Sequence, residues 1–264
     1  LMPLAAAIGR PVLFIWGIDA WKPPEQRLFA AAMKRCRAVV AISECTRSRF
    51  LGWSGFAGPT HVLPNAIHLE DYGVRPRRLD LAARLGIEGR RCLLTVGRLE
   101  TRERYKGFDE VMEVLGDLPP DVVYLLAGDG NDRPRLEAKA ASLGLADRVV
   151  FTGRFSDEEK ADLYGLADAY VMPGRGEGFG FVVLEALASG LPVVGSKIDG
   201  TREALREGEL GLLVDPTNPA EVRAAITEVL RPRERVVPAG IAYFSFDRFA
   251  ARTRELVASI GMRS

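Results

Sequence analysis

Nine short apolar runs recur along this chain, and stretches with helical character lie between most of them. The runs are Val12–Ile15, Ala38–Ile42, His61–Leu63, Cys92–Val96, Val122–Ala127, Val149–Thr152, Ala169–Met172, Pro192–Gly195 and Gly211–Val214. Apolar runs of this length that alternate with helices are typical of parallel strands buried on both faces. The sequence therefore predicts an α/β fold with parallel sheets and helices on both sides.

The ends of several helices carry recognisable signals. Ser43 is predicted to cap a helix that continues through Phe50, and residues 156–159 read Ser-Asp-Glu-Glu, a capping box. Gly144 and Gly190 follow helical stretches and are predicted to end them.

A change in composition divides the chain. Residues 65–79 are rich in charge, proline and turn formers, which is typical of a hinge between domains. We predict that residues 1–75 are the closing part of one α/β domain with this hinge, and that residues 76–240 form a second, complete domain. Residues 241–264 are predicted to hold a final helix, from about Asp247 to Ile260. The chain begins with leucine and soon enters a strand, so we expect the first domain to be only partly present.

A loop of alternating glycines precedes a predicted helix within residues 173–190. Gly178 and Gly180 allow the backbone to approach a ligand, and the helix start offers unpaired amide groups and a positive dipole end. Glu177 precedes these amides, while Glu185 lies in the helix with its side chain directed back towards them. The alternative is an ordinary tight turn with solvated acids. The glutamates that bracket the loop favour a site for a phosphate or a sugar, which both carboxylates could face.

The spacing of Glu177 and Glu185, with seven residues between them, resembles the E-x-x-x-x-x-x-x-E motif of retaining, nucleotide-sugar-dependent glycosyltransferases with the GT-B fold. The resemblance implies two Rossmann-like domains with parallel sheets, the first only partly present here. It also implies that the terminal helix crosses back to pack on the first domain. The activity implied is transfer of a hexosyl unit from a UDP or GDP sugar to an acceptor hydroxyl, in polysaccharide or glycoconjugate biosynthesis.

Two cations follow the first strand of the second domain. Arg98 comes directly after Gly97, and Lys106 follows a polar loop. Ligands of open parallel sheets bind at the carboxyl ends of the strands, so both cations are placed to hold a diphosphate. The alternative is that they are simply exposed loop cations. In the family the same pairing neutralises the donor diphosphate without a metal, and the resemblance implies that role here.

The resemblance also assigns roles to single residues. Glu177 is the expected catalytic residue, because it would bind hydroxyls of the transferred sugar and orient it. The donor-binding residues expected are Arg98, Lys106, Gly178, Phe179, Gly180 and Glu185. Arg154 and Phe155 are expected on the nucleobase side, although an ordinary loop at a strand end is the alternative for them.

Four other segments are interpreted as structural or atypical. Trp16 stands where many relatives carry a histidine, which puts the usual geometry of the site in doubt. Residues 199–203 resemble a turn with glycine and glutamate in the family, and Ser43 lies in a matching segment; we assign both to structure. Asp129 and Asp132 do not form the Asp-x-Asp pattern of metal-dependent transferases, so a turn is expected there.

The charge balance argues against nucleic acid as a partner, because 36 lysines and arginines oppose 35 aspartates and glutamates. The arginine-rich spots at residues 75–78 and 231–235 are interpreted as solvated linker charges. Contact with an anionic membrane surface is the alternative for them. The partners expected are a nucleotide-sugar donor and an acceptor that is a saccharide, a lipid-linked glycan or a small molecule.

Three scattered cysteines favour reduced thiols and a cytoplasmic location, either free or at the inner face of the membrane. Neither they nor the two histidines have metal-ligand spacing, so we expect no metal and no cofactor. Residues 1–8 are apolar but lack a basic start, which excludes a signal peptide and favours the end of a helix. Two rival functions stay open: a 2-epimerase of sugar nucleotides on the same fold, and a non-catalytic fragment that binds nucleotide sugars.

Overall fold

The computed structural model describes residues 10–25 and 27–261. It contains two parallel sheets. Their strands begin and end within about one residue of the nine predicted apolar runs. The smaller sheet has the order β1-β2-β3, with strands β1 (Val12–Ile15), β2 (Ala38–Ala41) and β3 (Thr60–Val62). The larger sheet consists of β4 (Arg91–Val96), β5 (Val122–Ala127), β6 (Val149–Gly153), β7 (Ala169–Val171), β8 (Val193–Ser196) and β9 (Leu212–Val214). The predicted α/β class with parallel sheets is confirmed.

Helices connect most of these strands. They are α1 (Arg27–Met33), α2 (Glu44–Ser54), α3 (Leu79–Arg84), α4 (Phe108–Leu115), α5 (Arg133–Ser142), α6 (Asp157–Leu166), α7 (Phe181–Ala188), α8 (Thr201–Ala204), α9 (Pro219–Val229) and α10 (Phe246–Gly261). The 3₁₀ segments in the described part of the chain are Ile18–Ala20, Leu69–Asp71, Thr101–Lys106, Arg206–Gly208 and Ala239–Phe244.

The order of the larger sheet is β6-β5-β4-β7-β8-β9. From β4 the chain adds β5 and β6 on one side, and then crosses back to β7 on the other. The strand order reverses between β4 and β7, which pair through Leu93 with Ala169 and Leu94 with Tyr170. Open sheets bind ligands at the carboxyl ends of the strands on either side of such a reversal. The topology therefore directs attention to the loops after β4 and β7.

Strand β5 of the larger sheet is buried on both faces, because it is apolar at every position. In β5, Leu125 belongs to the core cluster on one face, whereas Tyr124 and Leu126 belong to the cluster on the other. Side chains of a strand alternate between faces, so one continuous apolar run supplies both cores. Full burial of each such side chain stabilises the fold by about 1.5–3 kcal/mol.

Two predicted helix starts are confirmed. The Ser43 hydroxyl accepts a hydrogen bond from the Thr46 amide at 3.0 Å and so caps α2. This helix continues beyond the predicted Phe50 to Ser54 and ends at Gly55, whose φ of 58° is left-handed. Before α6, Ser156 and Glu159 exchange hydrogen bonds as a capping box.

The interpretation of both arginine-rich spots as solvated linker charges is wrong for two of their residues. Arg77 donates hydrogen bonds to the backbone carbonyls of Leu166, Ile87 and Arg90, at 2.9, 3.1 and 2.8 Å. Arg235 donates to the carbonyl of Gly165 at 3.2 Å and is half-buried. The Leu166 and Gly165 carbonyls lie at the end of α6, where carbonyls lack partners within the helix and a long guanidinium group can reach them.

The terminal helix α10 begins beside the predicted hinge. The Ile67 amide donates to the Phe244 carbonyl at 3.1 Å, and the rings of His68 and Phe246 stack with centroids 4.7 Å apart. None of residues 246–261 is fully buried. Packing of this helix on the first domain, and the domain boundaries themselves, stay predictions.

Cys36, Cys45 and Cys92 are all free thiols, as predicted. None of the helices in the described ranges combines the length and the apolar character needed to cross a membrane. The helix end predicted within residues 1–8 lies outside the described residues.

Candidate functional site

A cavity of about 810 Å³ opens at the carboxyl ends of β4, β5 and β6. Loops after all three strands line it, with glycines at several positions and the side chains of Arg98, Arg154, Phe155 and Lys160. The volume falls within the range of small-molecule sites, roughly 300–1,000 Å³. Three residues that the sequence singled out, Arg98, Arg154 and Phe155, therefore lie around one cavity.

The charges around this cavity are mixed. Besides the three cations, the carboxylates of Glu100, Asp129 and Asp157 line the cavity. The turn predicted after β5 is present, because the Arg133 amide donates to the Gly130 carbonyl at 3.3 Å, and the Asp129 carboxylate accepts from the Gly130 amide at 3.0 Å. The cavity can thus offer cationic donors to an anion and carboxylate acceptors to hydroxyl or amino groups.

Arg98 and Lys106 are joined by a residue that the sequence did not single out. The buried carboxylate of Glu103 forms an ion pair with the Arg98 guanidinium through Oε1, and its Oε2 lies 3.6 Å from Lys106 Nζ. Arg98 is 71% exposed at its side chain, whereas Lys106 is only 12% exposed. Glu103 precedes Lys106 by three residues, a spacing that brings side chains together in a helical segment and could have indicated the pair. Both cations are therefore partly neutralised by the protein itself.

Glu177 is held beside Lys106. Its Oε2 lies 3.3 Å from Lys106 Nζ, and its Oε1 accepts from the Gly178 amide at 3.1 Å. The Glu177 amide in turn donates to Asp199 Oδ2 at 3.0 Å. Asp199 is buried, and that burial raises the pKa of its carboxyl group. The predicted catalytic residue is thus fixed at both its backbone and its side chain.

Glu185 has a different environment. Its carboxylate is buried, accepts from the Tyr164 hydroxyl at 2.7 Å and contacts Lys160 Nζ at 3.0 Å. Burial first, and then the charge of Glu185, raise the pKa of the Tyr164 hydroxyl well above its usual value, so Tyr164 remains a donor. Glu177 and Glu185 therefore have separate partners in this structure, and a single ligand that both of them face stays a prediction.

The glycine loop is shaped by the smaller sheet as well as by its own turn. A Cβ atom at Gly178 would lie 2.9 Å from both the Gly17 Cα and the Trp16 carbonyl oxygen, closer than real Cβ atoms come. Gly180 has φ of 96° and precedes α7 directly. A side chain is thus excluded at Gly178 by close packing and disfavoured at Gly180 by backbone conformation.

Phe179 contributes through its backbone alone. Its side chain is 1% exposed and packs edge-to-face on Phe244, with ring centroids 5.7 Å apart. The predicted donor contact at this position is therefore restricted to the amide group. Trp16, by contrast, is 54% exposed on the loop that touches Gly178.

The acidic residues after β5 are held by arginines. Asp132 is buried and pairs with Arg104 at 2.8 Å and Arg135 at 2.7 Å. Although burial raises it, hydrogen bonds from both arginines hold the pKa of Asp132 below its usual value. Within residues 10–25 and 27–261, no group of three or more His, Cys, Asp or Glu side chains is placed to hold a metal ion.

Comparisons with known proteins agree with the resemblance seen in the motifs. Residues 78–238 match the family described as glycosyl transferases group 1. A GDP-mannose-dependent alpha-(1-6)-phosphatidylinositol monomannoside mannosyltransferase of Mycolicibacterium smegmatis is 31% identical over 229 residues, 82% of this chain and 59% of that protein. Alpha-D-kanosaminyltransferase of Streptomyces kanamyceticus is 28% identical over 200 residues, 73% of this chain and 52% of that protein. The chain thus spans little more than half the length of these relatives.

Solved structures share the fold. The crystal structure of HepE from Anabaena in complex with UDP superposes with a TM-score of 0.82 and covers 98% of this chain and 76% of that one. The two sequences are 24% identical, so this likeness concerns the fold alone.

Proposed function

The chain belongs to the group 1 glycosyl transferases, and on that premise we propose that the protein transfers a sugar from a nucleoside diphosphate donor to an acceptor hydroxyl. The observation that carries the proposal is the ion pair of Lys106 with Glu177, whose Nζ and Oε2 lie 3.3 Å apart in front of the loop that leads into α7. A cation and a carboxylate meet there, and the Lys106 side chain lies against Gly97, which lines the cavity after β4. Such groups can hold a charged leaving group next to a polyhydroxylated sugar.

Arg98 and Lys106 are proposed to bind the diphosphate and to stabilise its charge as the glycosidic bond breaks. Cations that are already held in place stabilise developing charge without reorganisation. Glu103 supports this role because it orients both side chains before the donor arrives. Metal independence is part of the proposal: these two cations would replace the metal ion that other transferases use.

The nucleoside is proposed to lie in the cavity after β4, β5 and β6. Phe155 offers a ring face and Arg154 offers donors on the base side of that cavity. Glu185 is proposed to accept hydroxyls of the ribose. Each of its carboxylate oxygens has two lone pairs, so ribose hydroxyls can be accepted while Tyr164 and Lys160 keep their contacts.

Glu177 is proposed to bind hydroxyls of the transferred sugar and to orient it as oxocarbenium character develops. The amides near Phe179 and Gly180 would hold the phosphate or the sugar at the start of α7. We propose that the reaction retains the anomeric configuration, and that the leaving phosphate accepts the proton of the acceptor hydroxyl.

A UDP or GDP sugar is the proposed donor, and a saccharide, a lipid-linked glycan or a small molecule is the proposed acceptor. The relatives support this range: one is named for GDP-mannose and a phosphatidylinositol mannoside, and a structural neighbour binds UDP. A cytoplasmic location, with peripheral contact at the inner face of the membrane, is proposed for the same acceptors.

A donor screen tests the proposal. UDP- and GDP-hexoses are incubated with the purified protein and a set of acceptors, with and without EDTA, and released nucleoside diphosphate and sugar products are measured. The proposal expects transfer with at least one donor, undiminished by EDTA. Epimerised donor without transfer would instead identify a 2-epimerase, and nucleotide binding without turnover would identify a binding protein.

A further inference from the structure

Glu203 connects the two sheets. It lies in α8, which follows β8 of the larger sheet, and its carboxylate reaches the first turn of α2, which follows β2 of the smaller sheet. Oε2 accepts from the Glu44 amide at 2.6 Å and Oε1 accepts from the Cys45 amide at 2.8 Å. The Glu203 carboxylate, which belongs to the larger sheet's side, thus caps α2, which belongs to the smaller sheet's side.

The contact suits the chemistry of a helix start. The first amides of a helix have no partner within it, and the positive end of the helix dipole favours a negative charge. Ser43 satisfies only the Thr46 amide, and Glu203 satisfies the two amides between them. Both oxygens of Glu203 are therefore used across the contact.

A second bond crosses at the glycine loop. The Ser43 hydroxyl donates to the Gly178 carbonyl at 2.6 Å, and both groups are buried. The same carbonyl also accepts from Thr46 Oγ1 at 3.5 Å. Since Gly178 follows Glu177 directly, the start of α2 is bonded to the peptide next to the proposed catalytic carboxylate.

The turn that carries Glu203 also holds Glu177 from the other side. The Gly200 amide donates to the Glu177 carbonyl at 2.8 Å, and the Glu177 amide donates to Asp199 Oδ2 at 3.0 Å. Residues 199–203 therefore bind the backbone of Glu177 at one end and α2 at the other. A shift of α2 relative to the larger sheet would be passed to Glu177 through this short turn.

We infer that Glu203 is a positioning residue that sets Glu177 through the turn at residues 199–203, and this inference rests on the proposed transfer reaction. Glu203 is not among the residues that line the cavity, and its carboxylate is bonded to the amides of Glu44 and Cys45. Its contribution is to hold the smaller sheet against the larger one so that Glu177 faces the transferred sugar. The nucleoside diphosphate, which lies on the side of β4 to β6, is bound without it.

The test compares catalysis with nucleotide binding in Glu203→Gln. An amide side chain keeps one acceptor oxygen but turns an N–H donor towards the second backbone amide, so one bond is replaced by a clash of donors. We expect kcat for transfer to fall about 10- to 100-fold, the scale of a small misplacement of reacting groups. The dissociation constant of UDP or GDP, whichever the protein binds, is expected to stay within about twofold by calorimetry, far below the 5- to 150-fold typical of coupled sites.

Hydrogen exchange and two further variants separate positioning from loss of fold. Exchange in peptides that cover residues 43–50 is expected to accelerate in Glu203→Gln, while the unfolding temperature stays close to that of the wild type. Glu203→Asp, which keeps both acceptor oxygens on a shorter stem, is expected to recover part of kcat. Glu209→Gln is the matched control, because Glu209 pairs with the partly exposed Arg206 at 3.0 Å and, among the described residues, is not part of the contact with α2.

A wild-type kcat in Glu203→Gln, or equal losses of kcat and nucleotide affinity, would overturn the inference while transfer by the wild type still supports the proposed function. A wild-type protein that transfers sugar from no donor would remove the proposed function, and the inference with it.

Discussion

The two sheets differ in how far they are enclosed. The strands of the larger sheet are packed between two large core clusters, and Leu94 and Leu125 are fully buried in it. The smaller sheet has one small cluster, and beside it Phe14 and Trp16 are 49% and 54% exposed. The larger sheet builds its own cavity, whereas the smaller one reaches the site through backbone contacts at Gly178.

This difference separates two kinds of contribution to one site. Residues on the larger sheet supply the charges that would bind a nucleoside diphosphate. Residues after β1 and β2 contact the glycine loop at Gly178 and so fix the peptide beside Glu177. Substitutions in the first group should therefore alter ligand affinity, and those in the second group should alter turnover.

The largest expected effect tests whether the larger sheet is more tightly packed than the smaller one. Leu125→Ala removes a fully buried side chain of β5 and is expected to lower the free energy of unfolding by about 2–5 kcal/mol. Leu13→Ala, the same change in the partly buried β1, should cost clearly less, about 1 kcal/mol. Denaturant unfolding followed by fluorescence measures both. Equal losses would show that the smaller sheet is as tightly packed as the larger one.

The next effect concerns the charges on the larger sheet. Lys106→Ala removes a nearly buried cation from Glu177 and Glu103 and is expected to reduce transfer about 100- to 1,000-fold, as removal of a preorganised donor does elsewhere. Lys139→Ala is the control, since Lys139 pairs with Asp109 and Glu113 in α4. Steady-state kinetics with the donor that the wild type uses measure both rates. Comparable rates for the two variants would show that Lys106 does not take part in transfer.

A smaller effect separates stability from positioning on the other sheet. Ser43→Ala removes the cap of α2 and should lower the free energy of unfolding by about 1 kcal/mol. Asn218→Ala removes the cap of α9 and should cost a similar amount. Only Ser43→Ala also breaks the bond to the Gly178 carbonyl, so only this variant should lose turnover. Parallel losses of turnover in both would assign the effect to stability.

The smallest effect is a dependence of stability on pH within the larger sheet. Although burial raises it, hydrogen bonds from Arg135 and Lys139 hold the pKa of Asp109 below its usual value. A lowered pKa contributes stability above the pKa of the unfolded chain, and that stability is lost as the pH falls through the lowered value. Asp109→Asn should therefore lower the free energy of unfolding by less than about 1 kcal/mol near neutral pH, and by little in acid. Urea unfolding at pH 7 and pH 3 measures this, and an equal loss at both would contradict it.

The sequence predicted the strands well because burial on both faces leaves a local apolar run that needs no partner to be recognised. The sequence also predicted that Arg98, Arg154 and Phe155 lie at the carboxyl ends of their strands, and these ends share one edge of the sheet, where the cavity opens. The surroundings of the two glutamates of the motif could not be predicted in this way, because spacing along the chain does not reveal that Lys160 and Tyr164 contact Glu185.

Contacts between separate segments could not be predicted from one sequence. Glu103 and Glu203 are ordinary acids in a loop and a turn until the backbone brings cations or helix amides to them. The interpretation of Arg77 as a solvated linker charge was wrong for the same reason. A charge-rich segment indicates a linker, and only the fold shows that three carbonyls lie within reach of the Arg77 guanidinium.

The diphosphate site is tested by calorimetric titration of UDP and GDP into the wild type and into Arg98→Ala. We expect the wild type to bind at least one of the two nucleotides. Arg98→Ala should weaken that binding by about tenfold or more, because a hydrogen bond to a charged group is removed. Equal affinity in both proteins, or binding of neither nucleotide, would contradict a diphosphate site at the carboxyl edge of the larger sheet.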